Sequence, residues 1–534
     1  MLKKKTNQAS FVDTDYICER LVPQNSFYCK FRELVTPLMS DESFADMYCE
    51  NNGRPAISPS LMACACILQF YRALSDREVE EACMFDIQIK YALGLGIDER
   101  PFDHSSLGDF RQRLLDNGRE KDIFERIVQH LVDEKLIKKD EIQRIDATHV
   151  MADIAIPSMI LMMKKSVYEI FKIIRKENKD IYNKIKKRIY ISEYKRETIN
   201  QNMQGKFDLE KRQKKLVRIL SEAKLVLRYV ERIDADERLQ SKIDLLKQIL
   251  LENTKKDKKG RYVEMGSKEK PTNRLISPID PDARCGAKSK NVRFYGYKAN
   301  ITETVKSRFI TNVMPLAGNT PDGRMTVKMV EEQEKLRLKP NKIIGDAAYS
   351  NGMKRKELLE KGVQLVAPMR INTGRAQHVF PKNMFKYNEK EQTLTCPNNV
   401  VSKRNWYDRR HNTITYHFPV YECEVCDLQR KCTNSFDERR TVGITPWHNI
   451  MLKTEKYNRT KKFKKEMKMR SPIESVFSEM KRYHGMRRTR YRGIKKVGFQ
   501  FFVTATVVNI KRWIKVAMHK TKFKKPSTLP SGCG

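Results

Sequence analysis

Acidic residues are scarce in this chain. Its 534 residues hold 66 Asp and Glu against 106 Lys and Arg, a formal charge of +40. A surplus that large repels itself, and a polyanion relieves the repulsion while releasing counterions, so nucleic acid is the expected partner. Long apolar runs are missing too. FQFFVTATVVNI (499–510) falls well short of the roughly 20 residues a spanning helix requires, which argues against a membrane. The start, MLKKKTNQASFVDTDY, has no apolar segment of the kind an export signal carries. An intracellular protein is expected, in which the 12 Cys are reduced thiols or metal ligands rather than a disulfide frame. No GxxxxGK[ST] pattern occurs, so nucleotide use is not expected.

What is present suffices for a folded core. Hydrophobic residues make up 40% and charged residues 32%, and the length suits two or three domains. Residues 1–135 read as a helical, DNA-binding domain. Within it, 58–95 has helix-period apolar positions with Ser58 or Ser60 as cap, and Ser105 or Ser106 precedes a helix carrying Arg111 and Arg113. A helical bundle without DNA contact reads almost as well. Strand character begins at IQRIDATHVMADIAI (142–156). Residues 160–270 are long, charged and helical, a hairpin or short coiled coil set into another domain, with TKKDKKGRY (254–262) as a solvated linker. NVRFYGYKANITET (291–304) and RFITNVMPLAG (308–318) form a strand pair. A helix over 322–338 follows, capped by Thr320 with Pro321 at its first position, and then two more strands at NKIIGDAAYSNG (341–352) and VQLVAPMR (363–370). This is a mixed α/β sheet. Residues 375–450 form a β-rich, Cys-containing insertion before a basic helical tail.

Three acids stand in unusual surroundings: Asp146 within RIDATHV, Asp346 closing IIGD, and Glu474 in MKMRSPIESVFSEMK (467–481). Read as one helix at about 100° per residue, that last segment puts Arg470 and Lys481 within about 40° of Glu474. Ile473, Val476, Phe477 and Met480 fall on an adjoining packed face. Singly, each acid has an ordinary reading as a turn residue, a cap or an i,i+4 ion pair. Converging carboxylates with too few bases to pair them are the protein half of a Mg²⁺ or Mn²⁺ site. The ordered set, in so basic a chain, favours the second reading.

With these residues in view, the sequence resembles the DDE transposases of bacterial insertion sequences. DATHV (146–150) matches the family's first-strand D-x-T-x-V, and DAAY (346–349) its D-x-x-Y. Arg470, Glu474 and Lys481 match the spacing of Y-x2-R-x3-E-x6-K, with Met467 at the Tyr position. The resemblance implies an RNase H-like catalytic core over 140–525, with Asp146, Asp346 and Glu474 as catalytic metal ligands for two Mg²⁺ or Mn²⁺ ions. It implies cleavage at the element's terminal repeats, joining of the 3′-OH ends to target DNA, assembly as a homodimer or higher oligomer on double-stranded DNA, and a cytoplasmic, nucleoid-associated location. Arg470 and Lys481 would grip phosphates, and Arg487, Arg488, Arg490, Arg492, Lys511 and Arg512 would extend the DNA track. A related nuclease or inactive domesticated copy is one rival, and a non-catalytic architectural DNA-binding protein the other.

Cys396, Cys423, Cys426 and Cys432 have a spacing compatible with a structural Zn²⁺ and equally with reduced structural thiols, and His417 competes as a ligand. Cys64 and Cys66 read as core residues, Asp322 as a helix-terminus residue, His149 as packed, and Arg284 and Lys288 as part of a solvated loop.

Overall fold

Among the described residues up to 135, side-chain caps set the starts of five α-helices, and the last one, from Asp122, begins without one. The computed structural model describes residues 21–49, 56–154, 158–195, 206–258, 260–266, 268–289, 291–369, 379–434 and 439–522. Phe27–Leu34 (α1), Pro59–Arg72 (α2), Asp76–Phe85 (α3), Ile87–Leu93 (α4), His104–Asp116 (α5) and Asp122–Asp133 (α6) come first. Ser58 caps α2 with Pro59 at its first position, and Ser75 and Glu78 form a reciprocal capping box on α3. The cap of α5 is Asp103, which accepts from the Ser105 amide, rather than Ser105 or Ser106. The periodic stretch 58–95 is cut into three helices, because Ala73 turns left-handed after α2 and an extended Asp86 separates α3 from α4.

Gln143–Met151 (β1) starts the sheet. The chain then leaves it for the helices Met159–Glu177 (α7), Lys179–Lys186 (α8), Ile191–Lys195 (α9), Lys206–Val230 (α10) and Glu237–Asn253 (α11). Ile170, Ile174, Leu220, Val226, Ile243 and Leu246 give this insertion its own core. The Lys-rich stretch after α11 is no open linker. Thr254–Lys256 (β2) pairs antiparallel with Tyr262–Glu264 (β3), closed by the Asp257 amide on the Arg261 carbonyl and by Gly260 at φ 74°.

Arg284–Ala287 (β4), Arg293–Thr304 (β5), Ile310–Ala317 (β6), Lys342–Ile344 (β7) and Gln364–Val366 (β8) complete the mixed sheet. Its order is β4-β5-β1-β7-β8, with β6 also on β5. β5 runs antiparallel to β1, β4 and β6, whereas β1, β7 and β8 run parallel. Thr326–Lys335 (α12) connects β6 to β7 and Gly352–Glu360 (α13) connects β7 to β8. The start of α12 differs from the sequence reading: Asp322–Met325 forms a separate 3-10 turn, and Thr320 caps nothing. This is the mixed α/β architecture, with a helical N-terminal region, expected from the resemblance.

Lys386–Asn388 (β9), Thr393–Thr395 (β10) and Val401–Ser402 (β11) make one small sheet of the Cys-bearing region, and Asn405–Asp408 (β12), Thr413–His417 (β13) and Thr441–Ile444 (β14) the other. Phe385, Leu394, Tyr416, Phe418, Val442 and Ile444 are buried between them. After His417 the chain turns into the short helix Val420–Glu424.

His448–Asn458 (α14), Lys461–Lys468 (α15), Ile473–Tyr483 (α16) and Ile494–Lys522 (α17) follow. The apolar run 499–510 lies wholly inside α17 and is buried throughout, as a helix apolar on all sides should be. It packs against α2, α6 and β6, so the N-terminal helices and the sheet share one continuous core. Among the described residues no helix is long and apolar enough to cross a membrane.

Candidate active site

Strand register brings the first two acids together. Gln143 lies opposite Ile343 and Arg144 opposite Ile344 in the parallel β1–β7 pair. Extending that register past the end of β7 carries Asp346 level with Asp146. Asp346 then accepts from the Ala348 amide at 2.8 Å and starts the turn to Tyr349. The Asp322 turn presses on this one through Gly323, where a Cβ would lie 2.8 Å from the Ala348 carbonyl oxygen and 2.9 Å from Tyr349 Cα. Only glycine permits that approach. Lys298 Nζ donates to Asp322 at 2.7 Å, and Asn300 links the Asp322 carbonyl to the Tyr349 hydroxyl. Burial lifts the Asp146 carboxyl to about 6, with the Ala147 amide and Arg470 opposing the rise and Asp346 and Asp322 adding to it. Asp322 is therefore more than a helix-terminus residue, since its charge reaches the first acid.

The third acid arrives differently from the sequence reading. The segment 467–481 is not one helix: α15 ends at Lys468, and α16 begins only at Ile473, behind Pro472. The proline has no amide to continue a helix and pushes its predecessor out of the helical region. Arg470 thus sits in the break. Its Nη1 donates to Asp146 Oδ2 at 2.7 Å, and its Nη2 stands 4.0 Å from Glu474 Oε1. One guanidinium bridges the first acid and the third. Glu474 occupies the first turn of α16 with its side chain 71% exposed, open to a ligand from solvent. Ile473, Val476, Phe477 and Met480 are buried, as the helical periodicity requires. Met467, at the Tyr position, packs beside Ile344, Val366 and Phe463.

Beneath the break lies a charge cluster that residue patterns did not reveal. Glu303 is fully buried and accepts from Arg144 Nε at 2.6 Å, Arg308 Nε at 2.8 Å and Arg512 Nη1 at 2.9 Å. Two of these cations reach onward. Arg144 Nη1 donates to the Met469 carbonyl at 2.8 Å, and Arg308 Nη2 to the Pro472 carbonyl at 3.1 Å and Ser475 Oγ at 2.9 Å. Glu303 therefore holds both ends of the segment that presents Arg470 and Glu474. A register shift of β5 against β6 falls between Thr302 and Glu303, the kind of irregularity that re-aims a side chain. The available signal was TET (302–304), three polar residues ending a strand otherwise rich in buried positions.

A basic groove adjoins the acids. His149, Met151, Lys288, Ser478, Lys481, Arg482 and Arg487 line it. The segment 487–489 is held there by backbone pairing, Met151 N–H to the Arg487 carbonyl at 3.1 Å and Thr489 N–H to the Met151 carbonyl at 2.8 Å. Lys288, read from sequence as part of a solvated loop, belongs to this groove. Burial pushes Lys481 down to about 8, with Lys288 and Arg487 reinforcing the shift, and burial together with Lys481, Lys288 and Lys298 pushes His149 down to about 4. His149 is thus neutral at pH 7. If an anion seats in this groove, its affinity should fall between pH 7 and 9 as Lys481 loses its proton, and Lys481→Arg should flatten that profile in DNA titrations.

Not every basic residue of the sequence reading faces outward. Arg487, Arg488 and Arg492 are not buried, Arg488 standing 3.2 Å from Asp153. Arg490 instead turns inward to the Leu74 carbonyl and lies over the Phe70 ring at 4.8 Å. Lys511 pairs with Glu479, and Arg512 is tied to Glu303 and the Arg308 carbonyl. These three arrangements share a cause: α17 and the segment before it pack against the core, where a partly buried cation finds an internal partner. Arg111 likewise forms a two-point pair with Asp76, at 3.0 and 2.5 Å.

Among the described residues, one group of three donor atoms lies mutually within 4.8 Å: Glu80, Asp103 and His104. The His104 amide and Nδ1 both meet Glu80 Oε2, at 3.0 and 2.9 Å, which ties α5 to α3. Asp146, Asp346 and Glu474 are spaced more loosely, as are the four thiols of the Cys-bearing region. Those thiols still share a neighbourhood. Burial pushes Cys432 up to about 11, against Arg440 and with Cys396, Cys423 and Cys426 adding to the rise. Cys64 and Cys66 are buried in α2.

Two family profiles match the chain. One, described as Transposase DDE domain, covers residues 395–514, and the other, described as Transposase domain (DUF772), covers residues 16–113. The first takes in Arg470, Glu474 and Lys481, and the second the helices up to α5. No curated protein and no solved structure matches.

Proposed function

We propose that this chain, a DDE-type transposase of an insertion element, binds the terminal repeats of its own element, cleaves there and joins the freed 3′-OH ends to target DNA. What supports the reading is the parallel β1–β7 register, which when extended past β7 sets Asp346 level with Asp146, together with Arg470 standing between Asp146 and Glu474. Four carboxylates, Asp146, Asp346, Asp322 and Glu474, stand against two cations paired with them, Arg470 and Lys298. That surplus of hard oxygen donors fits Mg²⁺ or Mn²⁺. Asp146, Asp346 and Glu474 would hold the ions, whose chemistry is Lewis-acid stabilisation of the attacking and leaving oxygens of an in-line displacement at phosphorus.

The chain's own residues supply the rest. Arg470 neutralises Asp146 until another cation takes that role. The bed of Glu303, Arg144 and Arg308 fixes where Glu474 can reach. Lys481, Lys288 and Arg487 offer charge-assisted bonds to the strand's phosphates beside the acids. Neutral His149 provides one ring N–H without adding charge. Pairing two element ends calls for at least two copies on DNA.

The test is a duplex carrying the element's terminal repeat, incubated with Mg²⁺ or Mn²⁺ and separately with chelator. Metal-dependent nicking at the end and joining into a second duplex are expected. Tight binding with no cutting in either metal would leave only an architectural DNA-binding protein. Binding should also weaken with salt, with a log–log slope steeper than about −3 from Lys481, Arg487, Arg488 and Arg492 together. A flat dependence would contradict the phosphate track.

A further inference from the structure

The helical insertion lies between the two family matches and outside both. Its residues 158–195 hold 11 Lys and Arg against 4 Asp and Glu, a local excess steeper than that of the whole chain. The cations are gathered rather than scattered. Two adjoining grooves of about 310 and 360 Å³ share Tyr168, Lys172 and Lys195. Lys165 and Lys242 line the first as well, and Arg175 and Lys186 the second. Of the described residues lining the two grooves, Glu169 is the carboxylate, and it pairs with Lys172. Lys172, Arg175, Lys186 and Lys195 are exposed, and Tyr190 projects among them at 72% exposure.

Length and position choose the partner. On α7 the groove cations Lys165, Lys172 and Arg175 span roughly 15 Å, enough to follow a few successive phosphates of one strand of a duplex. Pro278 and Ile279 form the edge of the first groove. The next residue, Asp280, accepts from the Gly493 amide at 3.0 Å, just after the outward-facing Arg487, Arg488 and Arg492. The basic face of the insertion and the basic groove beside the acids are thus joined through one loop.

We propose that this face of the insertion is a second DNA-binding surface, which holds the backbone of duplex DNA away from the catalytic groove without reading its sequence. The identity of the polyanion rests on the transposase reading, but the binding itself requires no catalysis. The grooves are built on the insertion's own core, so exposed charges can be changed without touching what holds the helices together.

The experiment uses the full chain in chelator with a fluorescent 30-base-pair duplex of arbitrary sequence, titrated at several salt concentrations. The variant combines Lys172→Glu, Arg175→Glu, Lys186→Glu and Lys195→Glu, and a second combines the same four positions changed to Gln. The charge-reversed variant is expected to bind more than about tenfold more weakly, with a salt slope shallower by about 3 to 4, and the Gln variant to fall between it and the parent. Circular dichroism should show the helices retained in both. Unchanged affinity and slope in folded variants would overturn the proposal. So would a change confined to the self-association of DNA-free protein, which would assign the face to a protein partner. Loss of cutting by an active-site variant would bear on the catalytic reading alone, because binding is read under conditions where nothing is cut.

Discussion

Asp146→Asn is expected to abolish metal-dependent cleavage and, in the same protein, to raise stability at pH 8. On the proposed reading Asp146 is a metal ligand, and loss of a ligand that positions Lewis-acid stabilisation worth several kcal/mol lowers the rate by on the order of 10³-fold or more. The gain in stability follows from the carboxyl's environment. Burial, with Asp346 and Asp322 nearby, lifts its pKa from 3.8 to about 6 even though Arg470 is in contact. A raised carboxyl pKa means that the native state holds the proton more tightly than the unfolded chain does. Asp146's contribution therefore falls as pH rises from about 4 to 6 and stays unfavourable above that window. The shift corresponds to an upper bound of about 3 kcal/mol, and Asn escapes that penalty while losing part of the Arg470 pair, so a gain of about 1–3 kcal/mol is expected.

Urea denaturation in chelator at pH 5 and pH 8 measures this. The variant should exceed the parent at pH 8, with the difference shrinking toward pH 5. Added Mg²⁺ should raise the stability of the parent more than that of the variant, because an ion that binds only the folded site stabilises it by mass action. A variant that still cut DNA would remove Asp146 from the proposed metal ligands, and one no more stable at pH 8 would contradict the raised carboxyl pKa.

Glu303→Gln is expected to be the most destabilising single change near the site. It would leave Arg144, Arg308 and Arg512 facing one another around a neutral side chain, with Arg144 only 1% exposed. Removing one partner of a buried ion cluster typically costs about 3–5 kcal/mol, since the remaining charges stay buried without compensation. Equilibrium unfolding reads that cost. Activity separates a positioning role from a merely structural one. In the fraction that folds, metal-dependent cleavage should fall by roughly 10–100-fold, as it does when the support of a ligand is lost, while DNA affinity in chelator stays near that of the parent. Unchanged cleavage per folded molecule would mean that Glu303 only holds the core.

Much of the local structure is legible in the sequence because it depends on near neighbours. The cap at Ser58, the buried stripe Ile473–Met480 and the β5–β6 pair each follow from residues within a few positions of one another. The strand contexts of Asp146 and Asp346 are readable for the same reason. In 254–262 the four lysines dominate the composition and suggest a linker, whereas Asp257 and Gly260 supply the turn of a hairpin. Pro472 interrupts a segment whose periodicity on both sides suggests one continuous helix, and the proline prevails.

The sequence alone therefore determined most of the helical and strand segments, where their apolar faces lie, and that a few acids stand in a strongly basic chain. Only the tertiary structure decided where each charge ends. Arg512 meets Glu303 across 209 positions of chain, and Arg470 meets Asp146 across 324. Whether an arginine faces solvent, a carboxylate or a carbonyl depends on which distant segment packs beside it. Local spacing carries no record of that, because a buried charge accepts whatever partner the fold brings within reach.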